Sequence, residues 1–224
     1  MSLDVLDRNA VKEFIAARVA RELHDGDFVN LGIGLPTLIP NYLSDDVNVI
    51  LGSENGIVGT GPRPHAGNAE PRYVVDAGGR PSSCAVGGAF IDSATSFGLI
   101  RGGHLDATVL GALQVDQEGN LANWIIPGKM VHGMGGAMDL VVGAKKVIVA
   151  MEHTQKGAPK ILTKCTLPLT AQQCVDIIVT EMAVMVFNDK GLVLTEINAL
   201  FSVEDVIAAT DADLVVAPDL VEMV

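Results

Sequence analysis

The 224-residue sequence has few aromatic residues, few cysteines and little positive charge. Aromatic side chains make up 4% of the chain, so its core has to be built from aliphatic residues, within a hydrophobic fraction of 49%. The cysteines, Cys84, Cys165 and Cys174, are odd in number and widely spaced, which argues against a disulfide framework and a zinc site. The five histidines are also scattered. We therefore expect reduced thiols and no metal site.

The net charge of −12 argues against a surface that follows the phosphates of a nucleic acid. A small anionic ligand is still possible, because backbone N–H groups can hold one without any net positive charge. No apolar run reaches the roughly 18–20 residues of a membrane-spanning helix. The N-terminal segment MSLDVLDRNAVKEF also lacks the basic-then-apolar order of a signal peptide. We expect a cytoplasmic protein that binds neither nucleic acid nor membranes.

Hydrophobic periodicity predicts helices and strands that are intermixed along the chain. The predicted helices cover residues 8–24, 36–43, 93–100, 137–142, 170–181 and 203–210. The predicted strands cover residues 28–31, 47–51, 107–115, 121–126, 146–151, 160–165, 183–187, 192–197 and 214–217. Four prolines in residues 60–83 predict a loop there. This order, without a linker or repeat, predicts one α/β domain over residues 1–224, with a mixed, partly parallel β-sheet flanked by helices.

Two glycine-rich segments each precede a predicted helix. Asn30-Leu31-Gly32-Ile33-Gly34 follows a strand, and Gly133-Met134-Gly135-Gly136 leads into Ala137. Such turns can expose backbone N–H groups to an anion or a developing oxyanion. A structural role is also open, as a tight turn for the first segment and a close backbone crossing for the second. Thr37 stands where a dinucleotide-binding motif would have its third glycine, so that motif is absent.

Glu54 has the most unusual setting of the acidic residues. It leaves an apolar strand, residues 47–51, and has glycines on both sides at Gly52 and Gly56. A carboxylate in such a place needs a partner or a chemical role, and carboxylates can act as covalent nucleophiles. A glycosidase would need a second acid close by, and none stands out. From the residues alone, a structural and a catalytic role for Glu54 are equally open.

Arg101 and His104 lie between a predicted helix and a predicted strand. Arg101 could bind a carboxylate or phosphate group, or pair with a structural acid. His104 has no matching serine or cysteine partner, and we interpret it as structural.

Together these segments resemble the β subunit of the family I CoA-transferases, the acetoacetate, butyrate and 3-oxoacid group. Ser53-Glu54-Asn55-Gly56 is similar to the active-site motif of that family. The other matching segments occur in the same order: NLGIGLPT (30–37), SFGLIRGGHLDATVLGALQVD (96–116), GNLANWIIPGKMVHGMGGAMDLV (119–141), MEHTQKGAPKI (151–161) and KCTLPLT (164–170). The resemblance extends over nearly the whole chain, from residue 12 to residue 218.

The resemblance implies that Glu54 is the catalytic nucleophile and carries CoA as a glutamyl thioester. It implies no cofactor, since CoA itself is part of the substrate. The residues expected to form the oxyanion and substrate pocket around Glu54 are Gly135, Gly136, Ala137, Asn30, Gly32, Gly34, Asn55 and Gly56. The resemblance also implies an α subunit that supplies much of the CoA site, in an α2β2 heterotetramer or a larger assembly.

One departure from the family pattern bears on the substrate. Family members that act on succinyl-CoA often carry a lysine after an Asn-Ala-Gly sequence, whereas here Gly79 follows Asp76-Ala77-Gly78. The loss of that cation predicts short monocarboxylates such as acetate, butyrate and acetoacetate. The alternatives are the β chain of a succinyl-CoA:3-oxoacid or 3-oxoadipate CoA-transferase, an acyl-CoA hydrolase, a non-catalytic sugar-phosphate-binding domain and a non-catalytic assembly subunit.

Overall fold

A computed structural model describes residues 7–62, 64, 74–131 and 133–223. It contains four α-helices, α1 to α4, and one 3-10 helix. The α-helices are α1 (Arg8–Ala20), α2 (Ser93–Arg101), α3 (Ala137–Gly143) and α4 (Val203–Ala209), and the 3-10 helix covers Leu35–Tyr42. None of the described helices is long and apolar enough to cross a membrane.

The described residues form seventeen strands, which are numbered in chain order. They are β1 (Phe28–Leu31), β2 (Ile50–Ser53), β3 (Ile57–Thr60), β4 (Cys84–Phe90), β5 (Ala107–Leu110), β6 (Gln114–Asp116), β7 (Leu121–Ala122), β8 (Ile125–Ile126), β9 (Met130–Val131), β10 (Val147–Ala150), β11 (Thr154–Gln155), β12 (Ala158–Pro159), β13 (Ile161–Leu162), β14 (Ile177–Val179), β15 (Ala183–Asn188), β16 (Gly191–Ile197) and β17 (Val215–Glu222).

Ten of these strands form one sheet, in the order β17-β16-β15-β14-β10-β5-β1-β2-β3-β4. The five central strands, β14, β10, β5, β1 and β2, are parallel to one another. Antiparallel strands extend the sheet on both sides. The predicted mixed, partly parallel sheet is therefore confirmed, and the carboxyl ends of its central strands share one edge, where ligands of α/β proteins usually bind.

Three of the central strands, β5, β10 and β14, are buried on both faces, as expected for parallel strands covered by helices. Along β10, Val147 and Val149 pack into one apolar cluster with Val206 of α4. The alternate residues, Ile148 and Ala150, pack on the other face in the cluster that contains α1. The aliphatic core that the composition requires is thus divided by the sheet into two layers.

A polar network fastens α1 to the sheet. The Arg18 Nε donates to Glu196 Oε2 of β16 at 2.7 Å, and the Lys146 Nζ donates to Glu22 Oε2 at 2.6 Å. The guanidinium of Arg18 also lies 2.9 Å from Glu22. Arg18 is buried, so these contacts compensate the desolvation of its charge.

Most helix starts agree with the sequence prediction because capping residues specify them. Asp7 caps α1 by accepting from the Asn9 N–H at 3.2 Å. Ser202 and Asp205 form a capping box at the start of α4. The α1 helix nevertheless ends at Ala20, earlier than predicted, and the helix predicted over residues 36–43 is a 3-10 helix.

The helix predicted over residues 170–181 is wrong. Residues 177–179 form β14, a buried central strand of the sheet. Three consecutive β-branched residues favour that conformation over a helix. The backbone at Gln173 also has a φ of +48°, which no α-helix contains. Because β14 is buried on both faces, its residues are all apolar and do not alternate with polar ones. This continuous apolar run was interpreted as part of a helix.

Several other strand predictions differ from the structure. The strand predicted over residues 47–51 is shifted along the chain to β2, Ile50–Ser53. The strand predicted over residues 107–115 is divided into β5 and β6, which belong to different sheets. The strand predicted over residues 121–126 is likewise divided into β7 and β8. Strands β3 and β4 were not predicted, since their glycines conceal the period of two that marks a strand. Within the predicted loop 60–83, residues 63 and 65–73 lie outside the described part of the chain.

Candidate active site

Glu54 lies at the carboxyl edge of the sheet, directly after β2. Strands β2 and β3 form a hairpin in which Ser53 pairs with Ile57, so Glu54 occupies the turn. The Gly56 N–H closes this turn by donating to the Ser53 carbonyl oxygen at 2.9 Å. Gly56 has a φ of +122°, and a Cβ there would lie 2.1 Å from the Ile91 carbonyl oxygen. Only glycine fits this position, and the turn therefore fixes where Glu54 leaves the sheet.

An open cavity of about 1010 Å³ lies at this edge, and the half-buried Glu54 is part of its wall. The segments that line it follow β1, β2 and β5 or precede α3. The described lining residues are Asn30, Leu31, Gly32, Ile33, Thr37, Pro40, Asn41, Leu51, Gly52, Ser53, Glu54, Thr60, Gly61, Pro62, Asp76, Ala77, Gly78, Arg80, Pro81, Ser82, Leu110, Gly111, Ala112, Leu113, Asn123, Gly133, Met134, Gly135, Gly136, Ala137 and Leu140.

Asn30 holds the carboxylate of Glu54. The side chain of Asn30 is buried, and its Nδ2 donates to Glu54 Oε2 at 3.1 Å. This contact follows from strand register, because β1 and β2 are parallel and Asn30 is paired with Gly52. A hydrogen bond from a buried amide fixes one carboxylate oxygen in a defined orientation.

The glycine segment before α3 packs against the other side of Glu54. A Cβ on Gly136 would lie 3.0 Å from Glu54 Cγ and 3.3 Å from Glu54 Oε1, so the absence of a side chain admits the carboxylate. The Ala137 N–H already donates to the Met134 carbonyl oxygen at 3.1 Å. Within the described residues, no acceptor takes the N–H of Gly135 or Gly136. Gly136 lies next to the carboxylate, and the two unengaged N–H groups belong to the segment that contains it.

The other predicted pocket residues differ in their placement. Gly32 lines the cavity, and a Cβ there would lie 3.0 Å from Leu110 Cδ2. Gly34, Asn55 and Gly56 do not belong to the described lining. Gly34 begins the 3-10 helix, and the exposed Asn55 donates to the Val75 carbonyl oxygen at 2.8 Å. Their contacts place the surrounding loops, while Asn30, Gly32, Gly135, Gly136 and Ala137 share the cavity with Glu54.

The turn at residues 76–80, which contains the Asp76-Ala77-Gly78-Gly79 segment of the substrate prediction, also reaches the cavity. Ser53, directly before Glu54, accepts the Ala77 N–H on its Oγ at 2.8 Å, which brings this turn to the cavity. Gly79, the position at which some family members carry a lysine, is not among the described residues that line the cavity. Arg80, the next residue, does line it. Arg80 gives the cavity a positive charge close to Gly79, and the expectation of short monocarboxylates that was based on Gly79 stays a prediction. The cavity residue that the sequence analysis missed is Arg80, which follows Gly79 directly.

Arg101 pairs with a structural acid, one of the two roles left open for it. Its Nε donates to Asp139 Oδ1 at 2.7 Å, and its Cζ lies 5.5 Å from the centroid of the Phe97 ring. This pair joins α2 to α3 at the surface. His104 is exposed and does not belong to the described lining of the cavity.

The three cysteines are unpaired thiols and are partly buried. Burial, reinforced by the carboxylate of Asp116, raises the pKa of Cys165 to about 12, and burial raises the pKa of Cys174 to about 11. Both therefore stay protonated and unreactive at neutral pH. Across the described ranges, no group of three or more His, Cys, Asp or Glu side chains is arranged to hold a metal ion.

Comparison with known proteins identifies the family. The family model described as coenzyme A transferase matches residues 12–209. The chain belongs to the coenzyme A transferase family. This confirms the resemblance found from the ordered motifs.

Relatives of this CoA-transferase carry two kinds of name. It is 59% identical over 214 residues to the acetate CoA-transferase β subunit of Haemophilus influenzae, with 95% of both chains covered. It is 50% identical over 220 residues to the mitochondrial succinyl-CoA:3-ketoacid coenzyme A transferase 2B of Mus musculus, which covers 97% of this chain and 42% of the mouse chain.

A solved structure supports the fold. The apoenzyme of an acyl-CoA transferase from Escherichia coli O157:H7 matches with a TM-score of 0.75 and 24% sequence identity. The match covers 96% of this chain and 43% of that one. At this identity the likeness shows the fold alone. Both that structure and the mouse relative are thus more than twice as long as the part that this chain matches.

Proposed function

We propose that this chain is the β subunit of a CoA-transferase that moves CoA between a short-chain acyl-CoA and a carboxylic acid. Acetate and acetoacetate are the acids we favour, and Glu54 is the residue that carries CoA between them. The observation that supports this most is the setting of Glu54. Its carboxylate lies in a large cavity, is held by Asn30 and packs against Gly136.

In the proposed reaction, a Glu54 oxygen attacks the thioester carbonyl carbon of the acyl-CoA. The C–S bond breaks, the CoA thiolate leaves, and a mixed acyl–glutamyl anhydride forms. The thiolate then attacks the glutamyl carbonyl carbon, and the donor acid departs as its carboxylate. Glu54 is left as a glutamyl-CoA thioester. An acceptor carboxylate reverses these steps, and no proton or electron has to be supplied from elsewhere.

Each attack places negative charge on a carbonyl oxygen. We assign the stabilisation of that oxygen to the backbone N–H groups of Gly135 and Gly136. Gly136 packs against Glu54, and neither N–H has an acceptor within the described residues. Donors that are already oriented towards a developing oxyanion contribute more than donors that must first be released from other bonds. The engaged Ala137 N–H is the weaker candidate for this role.

The substrate proposal follows the relatives. The chain is more similar to the acetate CoA-transferase subunit of Haemophilus influenzae, at 59% identity, than to the mouse succinyl-CoA:3-ketoacid enzyme, at 50%. A short monocarboxylate is therefore the first choice, and a 3-oxoacid pair with succinyl-CoA is the alternative. Since Arg80 restores a positive charge to the cavity, Gly79 does not discriminate between them.

We also propose an α subunit that covers the open cavity. The bacterial relative is named as a β subunit, and the mouse relative carries more than another length of chain of this size. Large apolar side chains are exposed beside the cavity, including Ile33 at 66% exposure and Met138 at 51%. Such surfaces mark protein interfaces, and covering them would keep water away from an anhydride or thioester. An α2β2 or larger assembly stays a prediction.

The test is to replace Glu54 with glutamine in the assembled α and β subunits. Glutamine has nearly the same shape but is a far weaker nucleophile, so we expect folding to be kept and transfer to be lost. Glu204→Gln, at an exposed position of α4, is the matched control and should keep wild-type turnover. A Glu54→Gln enzyme with a near wild-type rate would show that the role is misassigned.

A further inference from the structure

Arg80 is the one positively charged residue among the described residues that line the cavity. The lining also contains two carboxylates, those of Glu54 and Asp76, in a protein whose net charge is −12. An arginine that faces a cavity in so acidic a chain is unusual, because solvation favours placing it at the outer surface. It therefore needs an explanation beyond the fold.

The main chain at Arg80 is held in a closed turn. The Arg80 N–H donates to Asp76 Oδ1 at 2.9 Å, and the Asp76 N–H donates back to the Arg80 carbonyl oxygen at 2.9 Å. The carboxylate of Asp76 is thus engaged with the backbone of Arg80. The residues on both sides of Glu54 fix this turn, since Ser53 accepts the Ala77 N–H and Asn55 donates to the Val75 carbonyl oxygen. The position of Arg80 is therefore coupled to that of Glu54.

Among the described residues, the guanidinium of Arg80 makes one hydrogen bond, and that bond is weak. Its Nη1 lies 3.4 Å from Thr37 Oγ1, at the long limit for a hydrogen bond. The Thr37 hydroxyl donates to the Gly34 carbonyl oxygen at 2.7 Å and is thereby oriented to accept. Across the described part of the chain, no carboxylate lies within ion-pair distance of Arg80. A half-buried guanidinium thus keeps most of its donors for a ligand.

We propose that Arg80 binds an anionic group of the reactants, separate from the carbonyl group that reacts at Glu54. This rests on the proposed function. The guanidinium fork matches the paired oxygens of a phosphate or carboxylate group. Within CoA transfer, such a group can belong to CoA itself, as a phosphate, or to a dicarboxylic acid, as its second carboxylate. Arg80 acts as a binding residue and takes no part in bond formation.

The experiment compares wild type, Arg80→Gln, Arg80→Lys and the control Arg21→Gln, which changes an exposed arginine at the end of α1. Each variant is assembled with the α subunit and assayed with four reactants. Acetyl-CoA is compared with acetyl-pantetheine, which has no phosphate, and succinate is compared with acetate, which has no second carboxylate.

We expect Arg80→Gln to raise one KM about tenfold while kcat changes by less than about twofold, and Arg80→Lys to recover part of the loss. A rise for acetyl-CoA but not acetyl-pantetheine assigns the anion to a CoA phosphate, and a rise for succinate but not acetate assigns it to a second carboxylate. Unchanged KM values, or an equal loss with all four reactants, would overturn the proposal. A wild-type assembly without transfer activity would instead overturn the proposed function.

Discussion

The side-chain amide of Asn30 donates to Glu54 Oε2 at 3.1 Å, joining two residues that leave neighbouring parallel strands. The second oxygen, Oε1, faces the opposite wall, where a Cβ on Gly136 would lie 3.3 Å away. The two oxygens of Glu54 thus have different surroundings. One is fixed by a buried donor, and the other lies beside the backbone that we assign to oxyanion stabilisation.

Asn30→Ala should slow transfer without preventing assembly. Loss of a hydrogen bond to a charged group costs about 1.5–3 kcal/mol. If the contact acts mainly in the transition state, kcat should fall by roughly 10- to 100-fold. The control is Asn41→Ala, because Asn41 also lines the cavity but is exposed. Steady-state kinetics with circular dichroism as a folding check would make the comparison, and equal rates for the two variants would show that Asn30 does not position Glu54.

Gly136→Ala should displace the Glu54 side chain. The added methyl group would lie 3.0 Å from Glu54 Cγ and 3.3 Å from Phe97 Cζ, tighter than ordinary contact, so Glu54 has to move by a few tenths of an ångström. We expect a loss of kcat of about tenfold or more, because misplacement of a reacting group is costly. Gly98→Ala is the control, since a Cβ at that helical position meets nothing within 4 Å. Full activity of Gly136→Ala would show that the packing of Gly136 against Glu54 is not needed for catalysis.

The sequence identified the nucleophile candidate and, through the family resemblance, the residues around it, but not the contacts between them. Glu54 stood out because it ends an apolar strand, and this is where the structure has it. The contact with Asn30 depends on β1 lying beside β2, a long-range pairing that no local pattern encodes. The placement of Arg80 likewise depends on two hydrogen bonds with a distant turn, one that Ser53 accepts and one that Asn55 donates.

The errors in secondary structure have the same origin. The apolar run that ends at Val179 fits a helical face or a buried strand equally well when it is considered alone. Its strand conformation is decided by pairing with β10, which lies far earlier in the sequence, and with β15, which follows it. By contrast, α4 was predicted well because Ser202 and Asp205 specify its start locally.

His153 should make the stability of the chain depend on pH. It is fully buried, with Nδ1 at 2.9 Å from Thr180 Oγ1 and Nε2 at 2.9 Å from Thr210 Oγ1. The Thr210 hydroxyl donates to the Val206 carbonyl oxygen, so it accepts from His153 Nε2–H. In the neutral ring, Nδ1 accepts from the Thr180 hydroxyl in place of its 3.2 Å contact with the Ala183 carbonyl oxygen. Burial, with a smaller effect from Lys160, lowers the pKa of His153 to about 4.

The direction of this effect follows from proton linkage. In the unfolded chain, His153 has its ordinary pKa of 6.5 and binds a proton below that pH. In the folded chain, His153 binds this proton only below about pH 4. The free energy of unfolding should therefore fall as the pH decreases through this window, by roughly 3 kcal/mol in total. Burial also raises the pKa of Glu181, which has the opposite sign, so the comparison needs a variant in which His153 alone is changed.

His153→Gln removes the titrating group while keeping a polar side chain in contact with the two threonines. Chemical denaturation between pH 7 and pH 4 should show that wild type loses more stability than this variant over the same range. His24→Gln, at an exposed position, should follow the wild-type curve. Parallel curves for wild type and His153→Gln would show that His153 does not carry the pH dependence.

The central claim is that CoA is carried on Glu54, and trapping the intermediate tests it most directly. The assembled α and β subunits are incubated with acetoacetyl-CoA, reduced with borohydride and digested, and the modified peptide is mapped by mass spectrometry. Borohydride reduces a glutamyl thioester to the alcohol, so we predict one altered residue, Glu54, which is absent from samples that received no acyl-CoA and from Glu54→Gln. Modification at any other residue, or no modification in an enzyme that is turning over, would contradict the covalent role of Glu54.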